Sequence, residues 1–303
     1  MISPVSLNDN TTLLETISSK ELIELYRKSS AIDVSYLEKI APEIKLYRCN
    51  DSGYMFYTPA AAAGDGNFYA QLSKQEWYYS HTRWEHIRSI ELFPDKGEML
   101  EMGCGAGYFL GLLKEKKPGI NAVGLEINEN AIAEGKQKGL NIIGEDVIEF
   151  SKTHEKQFDI VCSFQVMEHV YEVRQILEAQ ISLLKKGGCL VIGVPNNDSY
   201  VGSNKHISRC LNMPPHHMGR WSDTLFSYIE KEFKLKKIGL YTEPFSESGY
   251  PVCHYNHMLK IFKSHFLVKI RYALKMPNLF KGYFLKKYKK REHGHTILAF
   301  FHT

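Results

Sequence analysis

Short apolar runs alternate with amphipathic stretches through the middle of the chain. Five of these runs have the length of a buried strand: EMLEM (98–102), NAVGLEI (121–127), NIIG (141–144), FDIVCSF (158–164) and CLVIGV (189–194). The segments between them have helical spacing, and one is bounded by Asn128 and Gly139 as its N-terminal and C-terminal cap residues. This alternation predicts an α/β fold with a doubly wound, mostly parallel sheet.

Two later runs, KKIGLYT (236–242) and HTILAFF (295–301), bring the predicted sheet to seven strands. We divide the chain into four segments: an N-terminal helical and aromatic extension that acts as a lid (1–94), a core (95–244), a basic helical insertion (245–294) and the last core strand (295–303).

Three elements are predicted inside the N-terminal extension. A helix begins at Ser19, and the aromatic stretch over 47–59 forms strands or a packed loop. A second helix carries the aromatic residues of 77–84, with Ser73 and Glu76 as its capping box.

Composition narrows the class of protein. With 44% apolar and 24% charged residues, the 303-residue chain is globular, which excludes collagen-like and disordered classes. Six cysteines without a C-x-x-C pair give no sign of a zinc knuckle or a disulfide framework. We expect a cytoplasmic protein, because the N-terminus lacks signal-peptide features and no apolar run reaches the length of a membrane span.

Positive charge is concentrated near the C-terminus. The formal net charge is +4, yet residues 251–303 hold 11 Lys and Arg against one acid. An amphipathic helix is predicted there, ending at Pro277. Its apolar face either docks on the core or, with the lysines of 258–291, makes peripheral contact with an anionic membrane at its inner face. A nucleic-acid partner is not expected, because no RNA-binding module is recognisable.

The main chemical motif follows the first core strand. Gly103, Gly105 and Gly107 lie where this strand turns into a helix, and Glu126 ends the next strand. Glycines let a ligand approach the backbone, and an acid at the second strand end can accept both hydroxyls of a ribose. The G-x-G-x-G spacing differs from the G-x-G-x-x-G fingerprint of dinucleotide-binding proteins. The motif therefore predicts a nucleoside-bearing cofactor and argues against a dinucleotide.

These residues resemble motif I of the class I S-adenosylmethionine-dependent methyltransferases, whose cofactor carries an amino-acid tail. Later segments are similar to the motifs that follow in this family: LEIN (125–128), EDV (145–147), FDIVCSFQVMEHV (158–170) and LLKKGGCLVIGVPN (183–196). The resemblance implies a Rossmann-like fold with S-adenosylmethionine as cofactor.

The same resemblance implies roles for individual residues. Glu101 and Gly103 would contact the methionyl part of the cofactor, and Glu126 would bind its ribose. Asp146 would contact the adenine amine, with Glu145 as the alternative. The residues placed at the cofactor are Glu101, Gly103, Cys104, Gly105, Gly107, Glu126, Ile127, Asp146, Val147 and Gln165.

Three histidines are the candidate catalytic residues. Methyl transfer to a hydroxyl needs a base, and histidine suits that role at neutral pH. His169 follows the fourth strand, whereas His216 and His217 follow two prolines after the fifth. The prolines restrict how these two side chains are presented. The alternative is that the histidines only pack or cap a helix.

No required metal is expected. The segment QVMEH (165–169) resembles the E-x-x-E-H arrangement that binds a divalent metal in some ubiquinone-biosynthesis O-methyltransferases. Gln165 stands in place of the first acid, so that only Glu168 and His169 remain as ligands. A dedicated site commonly has three or more.

The sequence therefore predicts an S-adenosylmethionine-dependent methyltransferase that acts on a hydroxyl of a small acceptor, such as a sugar or glycan precursor. The glycan class comes from a resemblance to glycan-associated bacterial methyltransferases, which is an analogy. The alternatives are N-methylation, RNA methylation and a non-enzymatic regulatory or scaffold protein that binds the cofactor. The oligomeric state is left open.

Overall fold

The computed structural model describes residues 1–30, 32–74, 83–199, 210, 212–245, 285–286 and 293–303. These residues form two β-sheets, one of seven strands and one of four. Most of the predicted aromatic helix (77–84) and nearly all of the basic insertion (245–294), including its amphipathic helix, lie outside the described residues. Within the described ranges, no helix has both the length and the apolar character needed to cross a bilayer.

The N-terminal elements build the small antiparallel sheet. In chain order they are strand β1 (Thr11–Ser18), helix α1 (Ser19–Ser29), helix α2 (Leu37–Ile40), strand β2 (Glu43–Cys49), strand β3 (Met55–Thr58), a 3-10 turn (Ala60–Ala62) and helix α3 (Gly66–Leu72). The sheet order is β1-β2-β3-β9, in which β9 (Gly219–Arg220) arrives from a distant part of the sequence.

This extension differs from its prediction in its strand content. The helix from Ser19 and the extended pieces over 47–59 are present, but β1 makes the segment mixed rather than mainly helical. Most side chains of β1 are exposed, so its sequence lacks the apolar alternation that marks a strand. Ser73 ends α3, whose start is capped by Asp65 accepting from the Phe68 N–H at 2.8 Å. Glu76, the other member of the predicted capping box, lies outside the described residues.

The core elements follow the predicted alternation. They are helix α4 (Trp84–Leu92), strand β4 (Lys96–Met102), helix α5 (Tyr108–Lys116), strand β5 (Gly119–Leu125), helix α6 (Glu129–Gln137), strand β6 (Ile142–Ile143), helix α7 (Val147–Ser151), strand β7 (Phe158–Phe164), helix α8 (Val173–Ser182), strand β8 (Leu184–Pro195), helix α9 (Asp223–Glu232), strand β10 (Lys236–Pro244) and strand β11 (His293–His302).

The large sheet has the order β10-β11-β8-β7-β4-β5-β6, and β11 runs antiparallel between β8 and β10. The predicted seven-stranded, mostly parallel sheet is therefore confirmed. Strand order reverses between β4 and β7, because later strands are added on opposite sides of β4. In open α/β sheets, ligands bind at the carboxyl ends of the strands that flank this switch point.

The central strands bury both of their faces, which explains their continuous apolar runs. Met99 and Ile160 pack in a cluster with residues of α4 and α5, while their chain neighbours Leu100 and Val161 pack with α8 and α9. This period of two is that of an extended strand. Helices therefore cover both faces, and the carboxyl edge of the sheet stays available for ligands.

Residues 212–218, which we call the histidine loop, join the core to the N-terminal unit. The Tyr26 hydroxyl donates to the carbonyl of Cys210 at 2.7 Å and to that of Met213 at 3.2 Å. The N–H of Gly64 donates to the Pro215 carbonyl at 2.8 Å. Met213 and Met218 are buried in the cluster formed by the N-terminal helices and strands. The loop that carries His216 and His217 is therefore held by residues far away in sequence.

Candidate functional site

The glycine loop after β4 has the backbone that its sequence predicts. Gly103, Gly105 and Gly107 have φ angles of +69°, +53° and +74°, in the left-handed region that favours glycine. A Cβ on Gly103 would lie 2.5 Å from Cγ2 of Val166, so this position also needs glycine for close packing. The β4 loop thus contacts the segment that follows β7.

Glu126 is fixed by the backbone around it. Its Oε2 accepts from the Gly105 N–H at 2.8 Å, and its Oε1 accepts from the N–H groups of Ile127 and Asn128 at 2.8 and 2.9 Å. A carboxylate has about four acceptor sites, so one remains for a ligand donor such as a sugar hydroxyl. Glu126 therefore links the glycine loop to the end of β5 and suits the ribose-binding role.

Glu101 is a buried acid beside the glycine loop. It is 4% exposed, and among the described residues its Oε2 has no hydrogen-bond partner. Burial, together with the charge of Glu126, raises the pKa of Glu101 to about 8. A buried carboxyl without a partner suits a cationic ligand group, and the ammonium of a methionyl tail is one.

The remaining cofactor candidates lie at the ends of neighbouring strands. Ile127 is 77% exposed, so its side chain is accessible to a ligand. Asp146 caps α7 by accepting from the Ile148 N–H at 2.8 Å, and Val147 is buried. Asp146 therefore has a local structural role, and the choice between it and Glu145 as the adenine contact stays a prediction.

Gln165 lies directly after β7 in a conformation that is rare for its residue type. Its φ is +55°, its N–H donates to the Gly193 carbonyl at 2.7 Å, and its Nε2 donates to Glu85 Oε1 at 3.1 Å. Glu85, from α4, is buried, and burial raises its pKa. Sequence reasoning missed Glu85, because no motif distinguishes it from other polar residues of a helix.

The three histidines that the sequence nominates lie together in one cluster. Ring centroids of His169 are 4.7 Å from His216 and 4.9 Å from His217, and the latter two rings stack at 4.3 Å. His216 and His217 are each 7% exposed. Burial lowers the pKa of His169 to about 4 and that of His217 well below its ordinary value, so both imidazoles are neutral at pH 7.

Glu168 lies within this cluster. Its side chain is 1% exposed, and burial raises its pKa to about 8. Nε2 of His169 lies 3.7 Å, and Nε2 of His217 4.0 Å, from Glu168 Oε1. In the described part of the chain, neither Glu168 oxygen has a hydrogen-bond partner. Sequence reasoning treated Glu168 as one member of an incomplete metal motif. Only the fold shows that the histidine loop returns to it.

The backbone of Glu168 holds that loop in place. The Glu168 carbonyl accepts from the N–H groups of Met218 and Gly219 at 2.8 and 3.0 Å. Cofactor candidates and histidines therefore lie at the same carboxyl edge of the sheet, with Gly103 and Val166 in contact between them.

Comparison with known proteins assigns this arrangement to a family. A family model described as a methyltransferase domain matches residues 79–234, about half of the chain. A solved structure of a SAM-dependent methyltransferase from Archaeoglobus fulgidus aligns with a TM-score of 0.54 at 20% identity, covering 78% of this chain and 100% of that one. That likeness shows a shared fold.

Curated relatives match over shorter segments. The ubiquinone biosynthesis O-methyltransferase of Hydrogenovibrio crunogenus is 27% identical over 144 residues, which are 44% of this chain and 57% of that protein. Malonyl-(acyl-carrier protein) O-methyltransferase 2 of Ilyobacter polytropus is 27% identical over 116 residues, which are 37% and 44% of the two chains. This chain spans about half the length of the curated relatives it matches.

Alanine substitutions at two glycines distinguish the destabilisation caused by backbone strain from the loss of space for the cofactor. Gly105 and Gly139 both have positive φ, and a Cβ at either meets nothing within 4 Å. We expect Gly105→Ala and Gly139→Ala each to lower the free energy of unfolding by about 1 kcal/mol. Only Gly105→Ala should weaken S-adenosylmethionine binding, by about tenfold or more, measured by calorimetry. Equal S-adenosylmethionine affinity in the two variants would show that the glycine loop does not contact the cofactor.

The raised pKa of Glu101 predicts opposite effects on stability and on binding. The ionised carboxylate is disfavoured in the folded protein without cofactor, so Glu101 should lower the melting temperature increasingly as pH rises from the ordinary pKa of 4.5 toward 8. Glu101→Gln should therefore melt above wild type at about pH 8 and with little difference at about pH 5. The same variant should bind the cationic cofactor more weakly.

Glu98→Gln is the matched control for this prediction, since Glu98 lies on the same strand and accepts from Asn121 at an exposed position. Glu98→Gln should change neither the melting temperature nor the affinity for the cofactor. A melting difference between Glu101→Gln and wild type that does not vary with pH would contradict the assigned titration.

Proposed function

Because the chain belongs to the methyltransferase-domain family, we propose that it transfers a methyl group to a hydroxyl of a small acceptor, such as a sugar or glycan precursor. Family membership shows a methyltransferase domain, and this supports the enzyme class and the S-adenosylmethionine cofactor predicted from the motifs. The acceptor and its oxygen atom are the proposal. One observation carries it: three histidines, of which His169 and His217 are neutral at pH 7, meet at the carboxyl edge beside the glycine loop.

An oxygen acceptor is favoured by the chemistry of that cluster. The hydroxyl oxygen attacks the methyl carbon in line, the carbon–sulfur bond breaks with its electron pair going to sulfur, and S-adenosylhomocysteine leaves. The acceptor hydroxyl must lose its proton as the new bond forms, which calls for a base that is neutral beforehand. His216 or His217 takes that proton in this proposal, and both relatives described above are named O-methyltransferases.

The site also explains how water is kept from the reacting atoms. His216 and His217 are almost fully buried, and Phe68 packs beside the His216 ring at 6.1 Å between centroids. A dry pocket strengthens the electrostatic interactions made in the transition state and prevents transfer to water. The N-terminal unit supplies this cover, which supports the predicted role of the 1–94 segment as a lid.

Replacing both histidines tests the base. His216→Ala/His217→Ala should lower the rate of methyl transfer by about 100-fold or more, because the hydroxyl proton then has no acceptor. Calorimetry should show S-adenosylmethionine affinity unchanged, since neither residue belongs to the cofactor set. Retained turnover would show that neither histidine acts as the base. Loss of S-adenosylmethionine affinity would show that the substitutions disrupt the structure of the whole site.

The acceptor class is tested by labelling. The full chain is incubated with S-adenosylmethionine labelled in its methyl group and with fractionated cell extract, and the same extract without the protein serves as the control. We expect the label as an ether on a small hydroxylated compound or glycan. Label on nitrogen or in RNA would contradict the proposed acceptor, and no transfer by a protein that binds the cofactor would favour the non-enzymatic alternative.

A further inference from the structure

A chain of side-chain hydrogen bonds runs from the end of strand β8 to the histidine loop. Nδ2 of Asn197 donates to the Pro195 carbonyl at 3.1 Å, and Nδ2 of Asn212 donates to Oδ1 of Asn197 at 2.8 Å. Oδ1 of Asn212 then lies 3.2 Å from Nδ1 of His217. Both asparagines and His217 are at most 8% exposed, so little water competes for these bonds.

The first bond of this chain sets the direction of the others. A carbonyl oxygen only accepts, so the group of the Asn197 amide that faces Pro195 is its NH₂. The Asn197 oxygen therefore faces Asn212 and requires the NH₂ group of that residue in turn. The Asn212 oxygen is left facing His217, so Nδ1 of the ring carries the hydrogen. The lone pair of neutral His217 is consequently on Nε2.

The two histidines of the loop differ in the access to Nε2. Nε2 of His216 is fully enclosed by protein, so an acceptor cannot reach it unless the ring moves. Nε2 of His217 is not enclosed in this way, and its nearest charged neighbour is Oε1 of Glu168 at 4.0 Å, beyond hydrogen-bond distance. Of the two rings, His217 is therefore the one whose lone pair is both fixed in place and accessible.

We propose that Asn212, oriented by Asn197, is the positioning residue that makes His217 the base of methyl transfer. This inference rests on the proposed function and deepens it, because it selects one of the two histidines named there. The acceptor hydroxyl gives its proton to Nε2 of His217 while its oxygen bonds to the methyl carbon and the carbon–sulfur electron pair goes to sulfur. The imidazolium keeps its hydrogen bond to Asn212 and then releases the proton to water.

An amide suits this position better than a carboxylate. Its oxygen accepts from Nδ1 without a charge, so it fixes the tautomer and leaves the imidazole neutral. A carboxylate would favour the imidazolium, which has no lone pair for the acceptor proton and repels the sulfonium. Burial lowers the pKa of His217 well below its ordinary value, and so, to a smaller extent, do the basic groups around it: His216, His169, His295 and Arg220.

Nitrogen-15 NMR tests the tautomer directly. The full chain, labelled in its histidine rings and saturated with S-adenosylhomocysteine, is recorded at about pH 7, and the His217 signals are assigned by their loss in His217→Ala. We expect hydrogen on Nδ1 of His217 and none on Nε2. Asn212→Leu, which has a similar size and no acceptor, should move the hydrogen to Nε2 in part or all of the molecules.

Steady-state kinetics test the consequence for the reaction, with the extract fraction that takes up the methyl label as acceptor. Asn212→Leu should lower kcat by about tenfold or more and keep KM for S-adenosylmethionine within about twofold, because Asn212 contacts the base and not the cofactor. Asn197→Leu, which lets the Asn212 amide turn over, should show the same changes to a smaller degree. His217→Ala should lower kcat about ten times more than His216→Ala does.

Asn141→Leu is the matched control. Asn141 is exposed and precedes strand β6, at the amino ends of the parallel strands and thus at the opposite edge of the sheet from the histidines. It should leave the His217 tautomer and kcat unchanged. S-adenosylhomocysteine affinity, measured by calorimetry for every variant, shows that each is folded.

The outcomes separate this inference from the proposed function. Hydrogen on Nε2 of wild-type His217, or on both of its ring nitrogens, would overturn the inference, and so would an unchanged kcat in Asn212→Leu. The wild-type spectrum needs neither an acceptor nor a variant, so it decides the tautomer independently of the acceptor. The expected tautomer together with methylation of nitrogen would uphold the positioning of His217 and refute the hydroxyl acceptor.

Discussion

A single carbonyl group, that of Glu168, determines how the acceptor side is built. It accepts hydrogen bonds from the N–H groups of Met218 and of Gly219, the first residue of the short strand β9 of the small sheet. Because Glu168 lies just beyond the end of β7, these two bonds place the histidine loop over the carboxyl edge of the large sheet. Together with the bonds from Tyr26 and Gly64, they fix the position of His217 relative to Glu168.

The parts of the fold that sequence predicts well are those with local signals. Strands β4, β5, β7 and β8 are largely buried, so their sequences are mostly apolar. The positive φ angles after β4 favour the glycines that mark the cofactor motif. Strand β1 has no such signal because most of its side chains face solvent, and β9 is only two residues long. Both strands form by pairing with strands from other parts of the sequence, and the local sequence pattern does not predict such pairing.

The candidate site shows the same limit. The sequence nominates His169, His216 and His217 individually by their place after strands, and the structure brings all three together. Glu85 and the special environment of Glu168 depend on burial, which arises only when the loops pack. In sequence, a buried acid cannot be distinguished from an acid on the exposed face of a helix. Hence the backbone of the glycine loop is predictable from the sequence, whereas the partners of the histidines are not.

The location of β9 determines which segments of the chain can be exchanged independently between related proteins. The side chains of Met213 and Met218 belong to the N-terminal hydrophobic cluster, and β9 pairs with β3, so the histidine loop is structurally a member of the first segment although the core separates them in sequence. In a chimera that takes its N-terminal segment from a related protein but keeps this histidine loop, the loop would pack against a surface that does not match it. The N-terminal segment and the histidine loop therefore form one packing unit made from two separate parts of the sequence.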